Sequence, residues 1–264
     1  MANITPIPDY FTPALELWAN KFSDSDPSKK NQHYEWHVGA WAATMLKKVF
    51  SADEWVIIPE RRNEDTQKKP DLVIEKLDTP YLLYELKSSI GDRLEDALFQ
   101  TTRGIHQWVD SNSANASIYI IIQRACKIAF FEYHSNSDDF EKHNVPMIDK
   151  CVSLTQPLWD GKTFTRPLQS IDMPMDVLPL YYNYKHLRKD TEERKAAKNY
   201  KKRCVFDIRK HKKQINLLFH HILTNRPREG PDGDDSTDHS KDIGENPNED
   251  EYGEYYRDED IYGG

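Results

Sequence analysis

From Gln32 to Phe50, apolar side chains recur at Tyr34, Val38, Trp41, Met45 and Val49, one stripe at helical spacing, with Gly39 and Ala42 forming a narrow face beside it. The pattern predicts a helix lying close against something flat. Trp55 to Pro59 reads as a short strand. Asp71 to Glu75 and Tyr81 to Lys87 are apolar runs flanking the turn-forming stretch Lys76-Leu77-Asp78-Thr79-Pro80, the pattern of a β-hairpin. The second run carries Leu82, Tyr84 and Leu86 on one side and Tyr81 and Leu83 on the other, so it belongs in a sheet covered on both faces. Next comes a helix that Asp92 is placed to cap and that runs to about Val109. Leu94, Leu98, Ile105 and Trp108 or Val109 point inward on it, and Arg93, Gln100 and Gln107 line its polar face. Ser117 to Gln123 and Lys127 to Tyr133 read as strands. The order helix, three strands, helix, two strands predicts a mixed α/β core.

The flanks are less regular. Residues 1–30 combine Pro6, Pro8 and Pro13 with a short helical pattern, Ala14 to Phe22, and a polar break, and read as an N-terminal arm appended to a core spanning 31–133. Residues 134–184 hold Pro146, Pro157, Pro167, Pro174 and Pro179, which predicts an irregular Pro-rich extension packed on the core, with one strand near Cys151 to Thr155. His186 to Arg203 and Asp207 to Leu223 look helical, the second with Ile208, Ile215, Leu218, Phe219 and Ile222 as its packing stripe; together they make a basic helical extension over 185–228. Residues 229–264, rich in Gly, Asp, Glu and Tyr, are expected to be a disordered acidic tail. There is no internal repeat.

Charge changes this picture once it is divided along the chain. The formal net charge is -8, but residues 230–264 hold 13 acidic and 2 basic residues, which leaves residues 1–229 at +3. Residues 185–228 carry 15 Lys and Arg against 4 Asp and Glu, a local +11 that suggests a polyanionic partner. The longest aliphatic and aromatic run, Ile118 to Ile122, is too short to span a bilayer, and the opening Met-Ala-Asn-Ile-Thr-Pro lacks the layout of a signal peptide. The expectation is an intracellular protein of the nucleus or cytoplasm with no membrane partner. Cys126, Cys151 and Cys204 are too few and too widely spaced for a disulfide framework or a zinc cage.

The hairpin carries the chemistry. With its turn centred on Asp78, an antiparallel pair places Asp71 opposite Glu85. Two facing carboxylates cost stability unless a cation sits between them, and a hard divalent ion with oxygen ligands, Mg²⁺, suits the pair. Lys87 projects from the same face as Glu85, and the Leu86 carbonyl can add a backbone ligand.

Pro70-Asp71 followed at hairpin spacing by Glu85-Leu86-Lys87 resembles the signature of the PD-(D/E)xK nuclease superfamily, over about residues 31–133. The resemblance implies a restriction-endonuclease-like α/β fold, an αβββαβ core whose mixed central sheet is flanked by helices. It implies a metal site built from Asp71, Glu85 and Leu86, with Mn²⁺ able to replace Mg²⁺, and a lysine, Lys87, that orients or activates water. It also points to Glu35 on the first helix, as a group that tunes the metal or as a solvated glutamate, and to Gln100 and Arg103 on the second helix as phosphate-holding helpers. The Gln-x-x-x-Tyr pattern of one branch is not met, since Gly104 stands four positions after Gln100. The implied activity is metal-dependent phosphodiester hydrolysis of nucleic acid, DNA in preference to RNA. The alternatives are a nuclease-like module that binds nucleic acid without cutting it and a protein-interaction scaffold. The oligomeric state is left open, a homodimer included.

Other signals carry less. His33, Glu35 and His37 make a His-x-Glu-x-His string without the third ligand or the spacing of a zinc enzyme, and His220-His221 sits within an amphipathic pattern, as surface or packing histidines do. No Gly-rich phosphate loop, dinucleotide fingerprint or Gly-x-Ser-x-Gly elbow occurs, which disfavours nucleotide-driven motors, dehydrogenases and serine hydrolases. Lys201-Lys202-Arg203 and Arg209-Lys210-His211-Lys212-Lys213 read as a phosphate clamp, a nuclear import signal or a solvated helix face.

Overall fold

Alternation of buried side chains on both faces builds a sheet with two separate cores. In the computed structural model the described residues are 7–21, 35–59, 70–88, 93–105, 117–135, 150–155, 158–159, 164–165, 173–180 and 203–227. The strands are β1 (Trp55–Pro59), β2 (Leu72–Lys76), β3 (Thr79–Lys87), β4 (Ser117–Arg124), β5 (Lys127–His134), β6 (Cys151–Ser153), β7 (Leu158–Trp159), β8 (Phe164–Thr165), β9 (Leu178–Pro179) and β10 (Arg203–Asp207). The helices are α1 (Pro13–Lys21), α2 (Glu35–Val49), α3 (Leu94–Gly104) and α4 (Lys212–Thr224).

Eight strands form one mixed sheet in the order β1-β2-β3-β4-β5-β10-β9, with β6 also paired to β5. The chain runs antiparallel through β1, β2 and β3, crosses over through α3, and lays β4 parallel to β3. Strand β5 turns back antiparallel to β4. Its outer edge is shared, with β10 on its first residues and β6 on its last. Strands β7 and β8 make a separate two-stranded ribbon.

One face of the sheet carries Leu72, Ile74, Leu82, Tyr84, Leu86, Tyr119, Ile121, Ile128, Phe130 and Phe206 beneath the buried stripes of α1, α2 and α4. The other carries Val73, Leu83, Ile118, Ile120, Ile122, Ala129 and Phe131 beneath Leu94, Ala97 and Leu98 of α3. Strands β3 and β4 are buried on both faces, as the two-sided apolar runs predict.

Two of the expected boundaries are corrected. The opening segment is part of the main core, because Tyr10, Phe11, Leu15 and Ala19 are buried with α2 and Trp41 Nε1 donates to the Leu15 carbonyl at 3.1 Å. The 185–228 stretch is not a purely helical extension. Cys204, Val205 and Phe206 enter the sheet as β10, and α4 buries Ile215, Leu218, Phe219 and Ile222, with the Phe219 ring edge-on to Phe130 at 5.2 Å. Each gains by covering apolar surface that the 31–133 core alone leaves open. The strand expected near Cys151 to Thr155 is β6, and it joins the sheet. Helix α3 ends at Gly104, and Arg93 caps it without a side-chain hydrogen bond; Asp92, Gln107, Trp108 and Val109 lie outside the described residues.

Gly39 is where α2 comes closest to β3, since a Cβ built there would stand 3.4 Å from Leu86 Cδ1. That is contact with the tip of a flexible side chain. Gly39→Ala is therefore expected to stabilise the protein, by the roughly 0.5–1 kcal/mol that alanine gains over glycine inside a helix. Urea unfolding checks it; a loss of stability would mean that the helix needs the closer approach.

Candidate metal centre

The turn between β2 and β3 has Leu77 at φ 48 and Asp78 at φ 63, the left-handed pair of a two-residue hairpin loop. It pairs Lys76 with Thr79 and Glu75 with Pro80, a register that would set Asp71 against Tyr84 if it ran on unchanged. It does not run on. The register shifts between Glu75 and Ile74, and the next pairs are Ile74 with Leu82, Val73 with Leu83 and Leu72 with Tyr84. Tyr81 is the extra residue of a β-bulge, and its ring and Leu82 lie in the same core in succession. It is anchored there by a hydroxyl that donates to the Ile222 and Asn225 carbonyls and by ring contacts with Trp55 at 4.8 Å and Tyr119 at 5.5 Å. Burial holds its phenol well above the usual tyrosine range, and Glu132 nearby adds to the shift. The ladder ends at Leu72 and Tyr84; carried one step further, the shifted register would set Asp71 opposite Glu85. A turn centred half a residue earlier than Asp78 plus one bulge thus gives the ladder, from Ile74 with Leu82 to Leu72 with Tyr84, the same register as a turn centred on Asp78.

Asp71 Oδ2 accepts the Leu86 backbone N–H at 2.6 Å. In an unbroken ladder the residue opposite Leu86 would be Pro70, whose ring leaves it no N–H to donate. The Leu86 carbonyl points to the same edge as its N–H, so it emerges beside Asp71 where β2 cannot supply a ladder donor. Lys87 faces the other way along the strand and its carbonyl accepts from Ala125 N at 3.1 Å. Glu85 and Lys87 share the α3 face, and Lys87 Nζ donates to Glu85 Oε1 at 2.7 Å with their side chains 14% and 10% exposed, respectively. Two carboxylates, a backbone carbonyl and an ammonium therefore meet at one end of β3. The oxygen donors fit a hard divalent cation. Among the described residues no cluster of three or more His, Cys, Asp and Glu side chains is placed to hold a metal, so a cation here would take its remaining ligands from backbone, water or substrate.

The other sequence candidates are placed less closely. Glu35 is the first residue of α2, one turn before Gly39 at Leu86, which brings the start of that helix to the site end of β3; its side chain lies outside the described residues. Gln100 stands on the exposed side of α3, off the buried stripe of Leu94, Ala97, Leu98 and Thr101. Nothing is described of the Arg103 side chain. His37 packs on Trp18 with ring centres 5.9 Å apart, and His221 on Tyr119 at 6.3 Å, both packing roles; His33 lies outside the described residues.

Arg124 is the residue that sequence reasoning passed over. It ends β4 in register with Lys87, and Lys127 opens β5 in register with Arg124, so both stand on the face that carries Glu85. Its position at the end of the alternating series Ile118, Ile120, Ile122 was visible, but its neighbour was not until β3 and β4 were known to be parallel.

The basic stretch looks different in three dimensions. Asp207 accepts from Lys127 Nζ at 2.8 Å and from Arg209 Nη2 at 2.6 Å; Asp176 pairs with His211 at 2.9 Å and Lys210 at 3.6 Å; Glu16 pairs with Lys212 at 2.6 Å. His211 Nδ1 accepts the Asp207 N–H at 2.9 Å, so its Nε2 is the protonated nitrogen when the ring is neutral and donates to Asp176. That bond is the main cause holding the Asp176 carboxyl below its usual range. Much of the described cationic charge is thus tied into the fold, and Lys201 and Lys202 lie outside the described residues.

No protein-family description, curated protein or solved structure matches this chain. No helix among the described residues is long and apolar enough to cross a membrane.

Proposed function

We propose that the chain is a Mg²⁺-dependent nuclease that hydrolyses phosphodiester bonds, with DNA as the substrate. The observation that carries this reading is that Asp71 Oδ2 accepts the Leu86 backbone N–H while Lys87 Nζ donates to Glu85 Oε1, all at one end of one hairpin. The chain order helix α2, antiparallel β1-β2-β3, helix α3 and β4 parallel to β3 supports it, because that is the αβββαβ order of the restriction-endonuclease-like nucleases that the sequence signature resembles.

Asp71, Glu85 and the Leu86 carbonyl would hold Mg²⁺, or Mn²⁺ in its place. When bound, the cation polarises the scissile phosphate and offsets the charge that develops on it. The chain's own groups do the rest. Asp71 keeps the Leu86 peptide oriented through its hydrogen bond. Lys87, held by Glu85 within a covered face, is placed to orient the attacking water and to take part in moving its proton. Glu35 on α2 would tune the metal, and Gln100 and Arg103 on α3 would hold phosphate oxygens.

The test incubates the purified full chain with linear plasmid, circular plasmid and single-stranded DNA, in Mg²⁺, in Mn²⁺ and in chelator, beside the Asp71→Ala, Lys87→Ala double variant. Cutting that needs metal and is lost in the variant is the expected result, and circular against linear substrate separates internal from terminal attack. Failure of every substrate to be cut, with both proteins binding DNA equally, would replace catalysis by a nucleic-acid-binding role; no salt-sensitive binding at all would favour a protein-interaction scaffold.

A further inference from the structure

Gln123 is a fully buried amide in the apolar strand β4. It is the last buried side chain of that strand, in register with Leu86 of β3 and Ile128 of β5, and so faces the core that α2 and α4 cover. A leucine or methionine would fill that place with no partner to find, whereas an amide buried there needs its hydrogen bonds made. Both ends of the amide are engaged. Nε2 donates to the Ala125 carbonyl at 2.8 Å, and Oε1 accepts from the hydroxyl of Tyr84, a side chain that is itself fully buried. The Ala125 carbonyl can only accept, so it fixes which way round the amide stands and leaves the oxygen for Tyr84.

Ala125 is the residue that this arrangement holds. It opens the two-residue turn from β4 to β5 at φ 48, in the left-handed region that favours glycine. Its N–H donates to the Lys87 carbonyl at 3.1 Å, its own carbonyl accepts from Gln123, and the carbonyl of the next residue, Cys126, accepts the Ile208 N–H at 2.9 Å just past β10. The turn is thereby tied to the end of β10 on one side and to the end of β3 on the other. Two successive residues of β3 are clamped from opposite edges, Leu86 through its N–H by Asp71 and Lys87 through its carbonyl by Ala125.

We propose that Gln123 is a positioning residue of the metal centre: with Tyr84 it sets the β4–β5 turn so that the Ala125 N–H fixes the Lys87 backbone and keeps the Lys87 ammonium at Glu85, where it orients the attacking water. The inference rests on the nuclease reading and extends it to a residue that acts through Lys87 alone. A displacement of about 1 Å in a reacting group costs on the order of a hundredfold in rate, so a buried amide behind the strand end can govern the reaction without touching substrate.

The experiment compares the full wild-type chain with Gln123→Met, Tyr84→Phe and Ser153→Ala, the last removing a different buried hydroxyl, bonded to Thr155 beside β6 and away from β3. Circular dichroism melting shows which are folded. Plasmid cleavage in Mg²⁺ gives kcat and KM, and hydrogen exchange followed by NMR on the metal-free protein reads the Ala125 amide. Gln123→Met is expected to lower kcat by about ten- to a hundredfold with KM within about twofold of wild type. It should also speed exchange at the Ala125 amide about tenfold while amides in the middle of β4 keep their wild-type rates. Tyr84→Phe leaves the Nε2 bond in place and gives a smaller change in the same two quantities, and Ser153→Ala changes neither. An unchanged kcat in folded Gln123→Met, an unchanged Ala125 amide, or a fall in kcat that Ser153→Ala matches overturns the positioning role; if Gln123→Met does not fold, Tyr84→Phe decides by the same two readings. The nuclease reading fails separately. A wild-type chain that cuts nothing in Mg²⁺ or Mn²⁺ removes the metal centre and the positioning role with it, whereas cleavage that folded Gln123→Met retains in full removes the positioning role alone.

Discussion

Glu85→Gln is expected to lower Mg²⁺-dependent cleavage by about a thousand-fold or more while leaving the protein folded. The change removes one anionic oxygen donor and keeps the side chain's shape, so the amide oxygen can still accept the Lys87 ammonium that now sits 2.7 Å from Glu85 Oε1. What is lost is charge at the point where a divalent cation must be held, and a metal's stabilisation of a phosphoryl transition state is worth several kcal/mol, three powers of ten at about 4 kcal/mol. Glu85→Ala separates the two roles. It would abolish cleavage too, but it would also strand Lys87 in a site where that side chain is only 14% exposed. A cost of about 3 kcal/mol, the low end for breaking a buried pair, is therefore expected in addition. Cleavage of circular plasmid measured beside a thermal melt distinguishes the variants. Should Glu85→Gln cut as fast as the wild type, Glu85 is a structural partner of Lys87 and no metal ligand.

Much of this site was legible before any coordinates, and the reason is local. The hairpin announces itself because its strands are apolar on both faces and the turn between them is short, so Asp71, Glu85 and Lys87 stand out as charges with no reason to be there unless they work together. The turn centre was read half a residue late, and the bulge at Tyr81 brings the ladder beyond it into the register that a turn at Asp78 would give. That bulge depends on carbonyls of Ile222 and Asn225, about 140 positions along the chain, and no local pattern contains them. The same distance in sequence hid β10. Cys204-Val205-Phe206 is a three-residue apolar core between basic runs, which reads as the gap between two helices until β5 offers it an edge. The N-terminal arm was misjudged for a related reason. Three prolines mark its irregularity, but Tyr10, Phe11, Leu15 and Ala19 show their purpose only against Trp41 of α2. Arg124 was missed because a parallel register cannot be read from one strand at a time.

The largest stability effect is expected at Asp207, which ends β10 in register with Lys127. Its side chain is 3% exposed and accepts from Lys127 Nζ, from the backbone N, Nε and Nη2 of Arg209, and from Cys126 Sγ at 3.8 Å. Asp207→Ala leaves two cations, each 25% exposed, facing each other across an emptied site, and it unties β10 from β5 at the only end where they pair among the described residues. The cost of breaking such a pair is about 3–5 kcal/mol, which for a domain of this size corresponds to a fall in Tm on the order of 10 °C. Asp176→Ala is the contrast. Its carboxylate is 54% exposed and its pairs with His211 and Lys210 are screened by water, so little change in Tm is expected. Asp207 also sets a pH dependence. Burial opposes ionisation of its carboxyl, but the hydrogen bonds from Arg209 and Lys127 more than offset that and hold it well below the usual carboxylate range. A carboxyl whose folded pKa lies below its unfolded value of about 3.9 binds fewer protons when folded. Its contribution is therefore complete above that unfolded value and is lost as pH falls below it toward the folded value. Urea unfolding followed from pH 6 to pH 2.5 should show the wild type losing stability in that acid window, with Asp207→Asn starting lower and falling less. Parallel curves for the two proteins would place the acid sensitivity in other carboxylates and remove Asp207 from the account.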